Sequence, residues 1–335
     1  MSATIRLTDV RGREVVVRRG PAPRQTLAAK SSGRGVRPNA MVTVSSGPDV
    51  DAANNDFRRI QNAINAAVNG DTITLSGTFD FTQPFAAAAW ALGNDNTAGT
   101  ADDYSIYVPA GLNSVTLTAS SLGAATIQGP GDLASVNLEA FLIFDGGPNS
   151  GWTISNLRIL DFDLSIGFFF PGPFNNTTIQ NNFIRIPTDL NSSVAPADVS
   201  QNVGIHFSIG TNETISGNTI QISGDGVSNG EATSSDVAMQ SNANSGTGYD
   251  GLNISNNTIH VLNAQSGNPE SIIGIWENGS AHSSNVTIAN NSFINDAPGN
   301  SPSLNRQRAF QVTSHSSATT TVRYDANQVH GAHVG

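Results

Sequence analysis

The sequence predicts an all-β solenoid of stacked coils with one helix closing its N-terminal end. Three observations carry that expectation. First, a short phrase keeps returning: an isoleucine, an asparagine three residues later, and an apolar residue two further on. It stands at Ile179-Asn182-Ile184, Ile215-Asn218-Ile220, Ile254-Asn257-Ile259 and Ile288-Asn291-Phe293, with looser copies at Ile154-Leu157-Ile159 and Tyr324-Asn327-Val329. Second, a short apolar run precedes each phrase: FLIF, LSIGF, VGIHF, VAMQS, IIGIW and AFQVT. Third, one amphipathic stretch, NNDFRRIQNAINAAVNG over 54–70, stands ahead of the strand-rich remainder.

The phrases recur at steps of roughly 25 to 39 residues, the range in which repeats build solenoids, propellers or arrays. Each unit holds a strand, a loop of variable length, the strand ending in Ile, an Asn turn and a third short strand. Three strands per unit describe one triangular coil. Coils stack about 4.8 Å apart with alternate side chains pointing inward. The isoleucines then form the core, and Asn182, Asn218, Asn257, Asn291 and Asn327 form the corner. Asparagine suits a corner because it tolerates left-handed backbone geometry. Its carboxamide both donates and accepts, so it can bond to the copies above and below.

Within 54–70, Phe57, Ile60, Ile64, Ala67 and Val68 share one helical face. Asn54, Asn55 or Asp56 can cap its start, and Gly70 can end it. A helix placed there would plug the open first coil, where exposed strand edges invite aggregation. Residues 1–40 are rich in Gly, Pro and Arg and read as a basic flexible segment. The alternatives for this segment are a short hairpin around Arg11-Gly12 and a basic arm for an anionic surface. The β-helical domain is expected over 41–335.

Composition narrows the partners. The net charge is −10, and Lys30 is the one lysine, a poor fit to nucleic acid. Residues 1–40 carry +7 and the rest −17, so the body repels polyanions unless a metal ion or a local Arg intervenes. With no cysteine there are no disulfides and no thiolate metal sites. No run is long and apolar enough to span a bilayer, and no secretory leader is visible.

The segment FRRIQNAINAAVNGDTITLSGTF and the repeated TI-x-x-N-x-I corners resemble those of the right-handed parallel β-helix family, the pectin-lyase-like fold with NosD-like (PbH1) repeats. The resemblance covers about 41–335 and implies a single-stranded right-handed parallel β-helix. It leaves the activity open, because one fold hosts many functions. Members include polysaccharide lyases and hydrolases, sugar epimerases, phage tailspikes and adhesins.

In the family's enzymes substrate lies along the first strand of each coil, here the VGIHF, VAMQS, IIGIW series. If Val203, Ile205 and Phe207 face in, alternation turns Gly204 and His206 out, together with Gln240, Trp276 and Thr313. His206, Gln240 and Trp276 then form a candidate substrate-binding row, with Glu277 the nearest carboxylate. His206 and Glu277 are the candidate catalytic groups. The family's lyase pattern, clustered aspartates with an Arg or Lys base, is absent, as are the hydrolase NTD, DD, GHG and RIK-like motifs. Spacing alone identifies no carboxylate pair suited to glycoside hydrolysis. The loop GNDNTAGTADDY offers Asp95, Asp102 and Asp103 as hard-oxygen ligands for Ca2+, without EF-hand spacing.

The expectation is an extracellular or surface protein that binds, and in one version modifies, a polysaccharide or cell-surface glycan. The alternative is a non-catalytic structural or adhesive module. The chain stops just after the sixth corner at HGAHVG, so a C-terminal continuation or a stacking partner is also expected.

Overall fold

The computed structural model describes residues 4–8, 14–18, 39–131, 139–144, 147–169, 172–187, 202–207, 210–222, 235–241, 249–262, 271–277, 284–296, 307–312 and 322–330. Three parallel sheets, here numbered I to III, wind around one core. Sheet I runs from Met41–Ser45 and the first half of Thr72–Asp80 through Thr116–Ala119, Thr153–Ser155, Thr178–Gln180, Thr214–Ser216, Asn253–Ser255 and Val286–Ala289 to Val322–Asp325. Sheet II begins with the second half of Thr72–Asp80 and ends at Gln328–His330. Sheet III has seven strands, from Ile106–Val108 to Gln307–Val312. The chain is a parallel β-helix, wound with the right hand that parallel crossovers take.

The isoleucine period is the core. Ile154, Ile179, Ile215, Ile254 and Ile288 pair in register along sheet I. Ile127, Ile159, Ile184, Ile220, Ile259 and Phe293 do the same along sheet II. All are buried in one continuous cluster.

Between sheets I and II lies a buried column of asparagines. Asn218 Nδ2 donates to the Ile179 carbonyl of the coil before it and to Asn257 Oδ1 of the coil after, each at 3.0 Å. Its own Oδ1 accepts from the backbone N–H and the Nδ2 of Asn182. The pattern repeats at Asn257, Asn291 and Asn327. One correction follows. The left-handed residue is not the column asparagine but the residue before it: Asn181, Gly217, Asn256, Asn290 and Ala326 have positive φ. The exposed residue makes the turn, and the next one points inward to bond the backbone.

The helix is shorter than the 54–70 stretch. Helix α1 spans Asp56–Ala66, with the Asn55 side chain accepting from Arg58 N–H as N-cap and Ala67 ending it. Gly70 lies in the following turn at φ +91°. Phe57, Ile60 and Ile64 join the main core, against Met41–Ser45, Thr72–Asp80 and Ile106–Val108. A second helix, α2 (Pro84–Ala91), was not expected from the sequence. Its Trp90 sits in an aromatic cluster with Phe81, Tyr104 and Phe162. In the basic segment, Thr4–Thr8 and Glu14–Arg18 pair as an antiparallel hairpin.

Replacing Asn218 by Ala removes four column bonds and leaves buried partners unsatisfied. The expected loss is about 3 kcal/mol in urea denaturation, on the scale of buried polar groups stripped of their partners. Asn327→Ala, at the last coil with neighbours described on one side, should cost markedly less. Equal losses would show that the column does not act coil by coil.

Candidate functional site

Sheet III positions the predicted row. His206 pairs in register with Gln240, and Gln240 with Trp276. The residue in register beyond Trp276 is Gln311, not Thr313, which lies outside the described residues. The strands do not alternate simply. Ala238 and Met239 are consecutive, yet both belong to the main core, while Val203 and Val237 join a second, outer cluster. A Cβ on Gly204 would lie 2.6 Å from the Ala238 carbonyl oxygen and 3.2 Å from Ile220 Cγ2, so Gly204 faces the core and only glycine fits. The expected directions of Val203 and Gly204 are thus reversed, because this position brings two successive residues inward.

His206, Gln240 and Trp276 do leave the main core, but they do not reach solvent. Their exposures are 3%, 1% and 3%. They are covered in an outer apolar cluster with Ala140, Ile143, Leu164, Phe169, Val203 and Val237 around Trp276. His206 stacks on Phe169 at 4.8 Å, and its Nδ1 lies 3.0 Å from the Phe168 carbonyl oxygen. A carbonyl only accepts, so Nδ1 carries the proton and Nε2 is a buried acceptor without a partner. Burial pulls the imidazole pKa down to about 4. The Gln240 carboxamide is also buried, with neither Nε2 nor Oε1 partnered. Glu277 follows Trp276 and pairs in register with Val312; its side chain lies outside the described residues.

One polar column escaped the sequence reading. Glu139, Asp163, Asn202 and Asp236 stand one residue ahead of Ala140, Leu164, Val203 and Val237, which pair in register. All four are buried. Glu139 N–H donates to Asp163 Oδ2 at 3.3 Å, and the three acids take part in further interactions. The signal was available: an acid or amide at one register position in four consecutive coils, replaced by Ile272 in the next, visible once the strands are aligned.

The proposed Ca2+ loop uses its own carboxylates. Asp102 accepts from the N–H groups of Asn94 and Asp95 and from Thr100 Oγ1. Asp103 accepts from the N–H groups of Gly99 and Thr100, and Asp95 from the N–H of Thr97. These bonds close the loop on itself, and Asp95 Oδ1, Asp102 Oδ1, Asp103 Oδ1 and the Thr97 carbonyl oxygen converge on Thr100 Oγ1. Among the described residues no three His, Asp or Glu side chains are grouped to hold a metal.

A buried acid lies at another wall. Glu213 precedes Thr214–Ser216 and takes the inward position held by Thr177 in the coil before and Leu252 in the coil after. Its carboxyl rests against the backbone at Gly210, and Oε2 has no hydrogen-bond partner. Burial raises its pKa well above the ordinary 4.5, which keeps it protonated in the folded state.

The two groups give opposite pH slopes. The folded state binds the Glu213 proton more tightly than the unfolded state does. Its contribution is therefore fully present below pH 4.5 and is lost as pH rises towards the folded-state pKa. His206 binds its proton less tightly when folded, so stability falls as pH drops from 6.5 to about 4. Thermal melts from pH 4 to 9 should show Glu213→Leu gaining on the parent chain as pH rises. A pH-independent difference between the two would refute the buried protonated acid.

Comparison with known proteins gives remote likenesses among solved structures. No family model matches the chain, and no curated protein matches it. Among solved structures, the endo-xylogalacturonan hydrolase from Aspergillus tubingensis aligns over 88% of this chain and 92% of its own, with 15% identity and a TM-score of 0.37. The Agl-KA catalytic domain aligns over 86% and 69%, with 15% identity and a TM-score of 0.29. The A-module of the Azotobacter vinelandii mannuronan C-5 epimerase AlgE4 aligns over 84% and 93%, with 12% identity and a TM-score of 0.29. At these values nothing about activity passes from those proteins to this one; the parallel β-helix stands on the strand register above.

Proposed function

We propose that this chain is a rigid, non-catalytic β-helix module of a surface protein, used for adhesion or display. The observation that carries this reading is the covered row. The strip that would meet a substrate is sealed in an apolar cluster, with His206 and Trp276 at 3% exposure. His206 is neutral above about pH 4 and bonds a backbone carbonyl rather than a carboxylate. A general base needs reach to its substrate and a pKa near the working pH, and this imidazole is supplied with neither. An extracellular setting suits a rod poor in charge and rich in Ser, Thr and Asn. Among the described residues no helix is long and apolar enough to cross a membrane.

A second reading, polysaccharide binding at the same row, has one observation in its favour. His206 Nε2 and both polar atoms of Gln240 are buried without partners on consecutive coils beside Trp276. Each such atom costs about 1–3 kcal/mol until something bonds it. A hydroxyl-bearing ligand would do so once the cover parts.

One experiment separates the two. The chain is incubated with a polysaccharide panel, with and without Ca2+; products are read by mass spectrometry and retention by affinity electrophoresis. The rod reading expects neither product nor retention. Retention without products, lost in Gln240→Ala and Trp276→Ala, would establish the second reading. Unsaturated or water-added fragments would overturn the non-catalytic assignment.

A further inference from the structure

The outer face of sheet I carries a pattern that neither reading uses. One outward column reads Thr72, Thr116, Thr153, Thr178, Thr214 and Thr287, with Asn253 the one interruption, all in parallel register. The column two residues further along is again hydroxyl-rich: Thr74, Thr118, Ser155, Ser216 and Ser255, broken by Gln180 before Ser216 and followed by Ala289; Ser155 is buried, its hydroxyl 2.9 Å from that of Thr118. Neither column holds a charged side chain until Arg323 and Asp325 in the last coil.

Strand preference for threonine does not explain this. It would act equally on sheet II, whose outward residues are mixed. There Arg158 lies over the Phe183 ring at 4.6 Å, and Arg185 is ion-paired with Asp161. Gln221 and His260 continue the column of Arg185, whereas Thr219, Thr258 and Ser292 continue the column of Arg158 and Phe183, so hydroxyls on sheet II are interrupted by charged and aromatic side chains. Two faces of one rod thus carry different chemistry.

Exposed left-handed asparagines line one side of sheet I (Asn176, Asn212, Asn285) and the other (Asn181, Asn256, Asn290). The connections from sheet I to sheet II are tight turns such as Asn156-Leu157 and Gly217-Asn218.

Each threonine presents a methyl and a hydroxyl on a stiff β-branched stem. In-register pairing sets them about 4.8 Å apart, coil after coil. That step is close to the shortest lattice repeat of oxygen atoms in hexagonal ice. A flat, uncharged array with that period can hold surface water in lattice register, with the methyl groups limiting other hydration. Soluble sugars are more often met by aromatic platforms and planar charged groups, and sheet I presents none before its last coil. We propose that the outer face of sheet I is an ice-binding surface. This proposal is independent of what sheet III does.

The test uses the full chain in a nanolitre osmometer and an ice-recrystallisation assay. Faceted crystals, a freezing gap below the melting point and suppressed recrystallisation are expected. Thr178→Lys, at the centre of the array, should abolish all three, and Thr258→Lys on sheet II should leave them unchanged. Melting curves check that each variant folds; Thr153→Lys on the neighbouring coil replaces Thr178→Lys if that variant does not. An inactive parent chain, or activity that survives a folded central variant, overturns the proposal. So does a Thr178-dependent dimer or Thr178-dependent retention on insoluble polysaccharide, where ice is unaffected. Trp276→Ala, which reports on sheet III, should not change any ice readout.

Discussion

The structure depends on satisfying backbone groups at a sharp buried corner. A coil that turns between two sheets leaves peptide groups pointing inward, where water cannot reach them. The asparagine column solves this with one residue per coil. Each carboxamide bonds a carbonyl of the coil before, a carboxamide of the coil after, and accepts the N–H of its predecessor. Its acceptor oxygen also serves the preceding side chain, so the bonds run in one direction along the rod. At the N-terminal end, Leu157 occupies the corner position, and its N–H still donates to Asn182 Oδ1. Leucine can begin the column because that place needs only a backbone donor.

With the corner held, the isoleucine columns stack without slip, and the remaining variation is pushed to sheet III. There the backbone departs from alternation. Ala238 and Met239 both enter the core, and the neighbouring coil must use Gly204 to make room. The outward side of the same strands is apolar around His206 and Gln240, which makes their unpartnered atoms expensive to keep. Sheet III is therefore where the fold tolerates local cost, and it also carries the buried acidic column from Glu139 to Asp236. Sheet I is the opposite case: tight turns into sheet II and two hydroxyl-rich outward columns.

Much of this was legible in the sequence. The period of Ile and Asn predicted stacked coils, because a core column and a corner column each demand the same residue type at every turn. The amphipathic run predicted α1 to within a few residues, since its face is defined by spacing alone. Even the lateral register of His206, Gln240 and Trp276 followed from lining up the apolar runs. The helix Pro84–Ala91 was not legible, because an alanine-rich segment has no polar face to reveal its period.

What the sequence by itself determined was periodicity: which residues stack on which, and therefore the β-helix. Only the tertiary structure decided direction and cover. Alternation assigns inward and outward faces only while the strand stays regular, and one extra inward residue at Gly204 turns Val203 outward while Ile205 and Phe207 keep the expected direction. Exposure depends on segments far away in the chain, so an outward His206 or Trp276 can still be buried under an outer cluster. The same holds for Asp102 and Asp103, each of whose Oδ2 atoms accepts from loop N–H groups that no spacing rule could name. Stacking is a local, repeated interaction that composition records; burial is a sum over the whole fold, and no single stretch of sequence contains it.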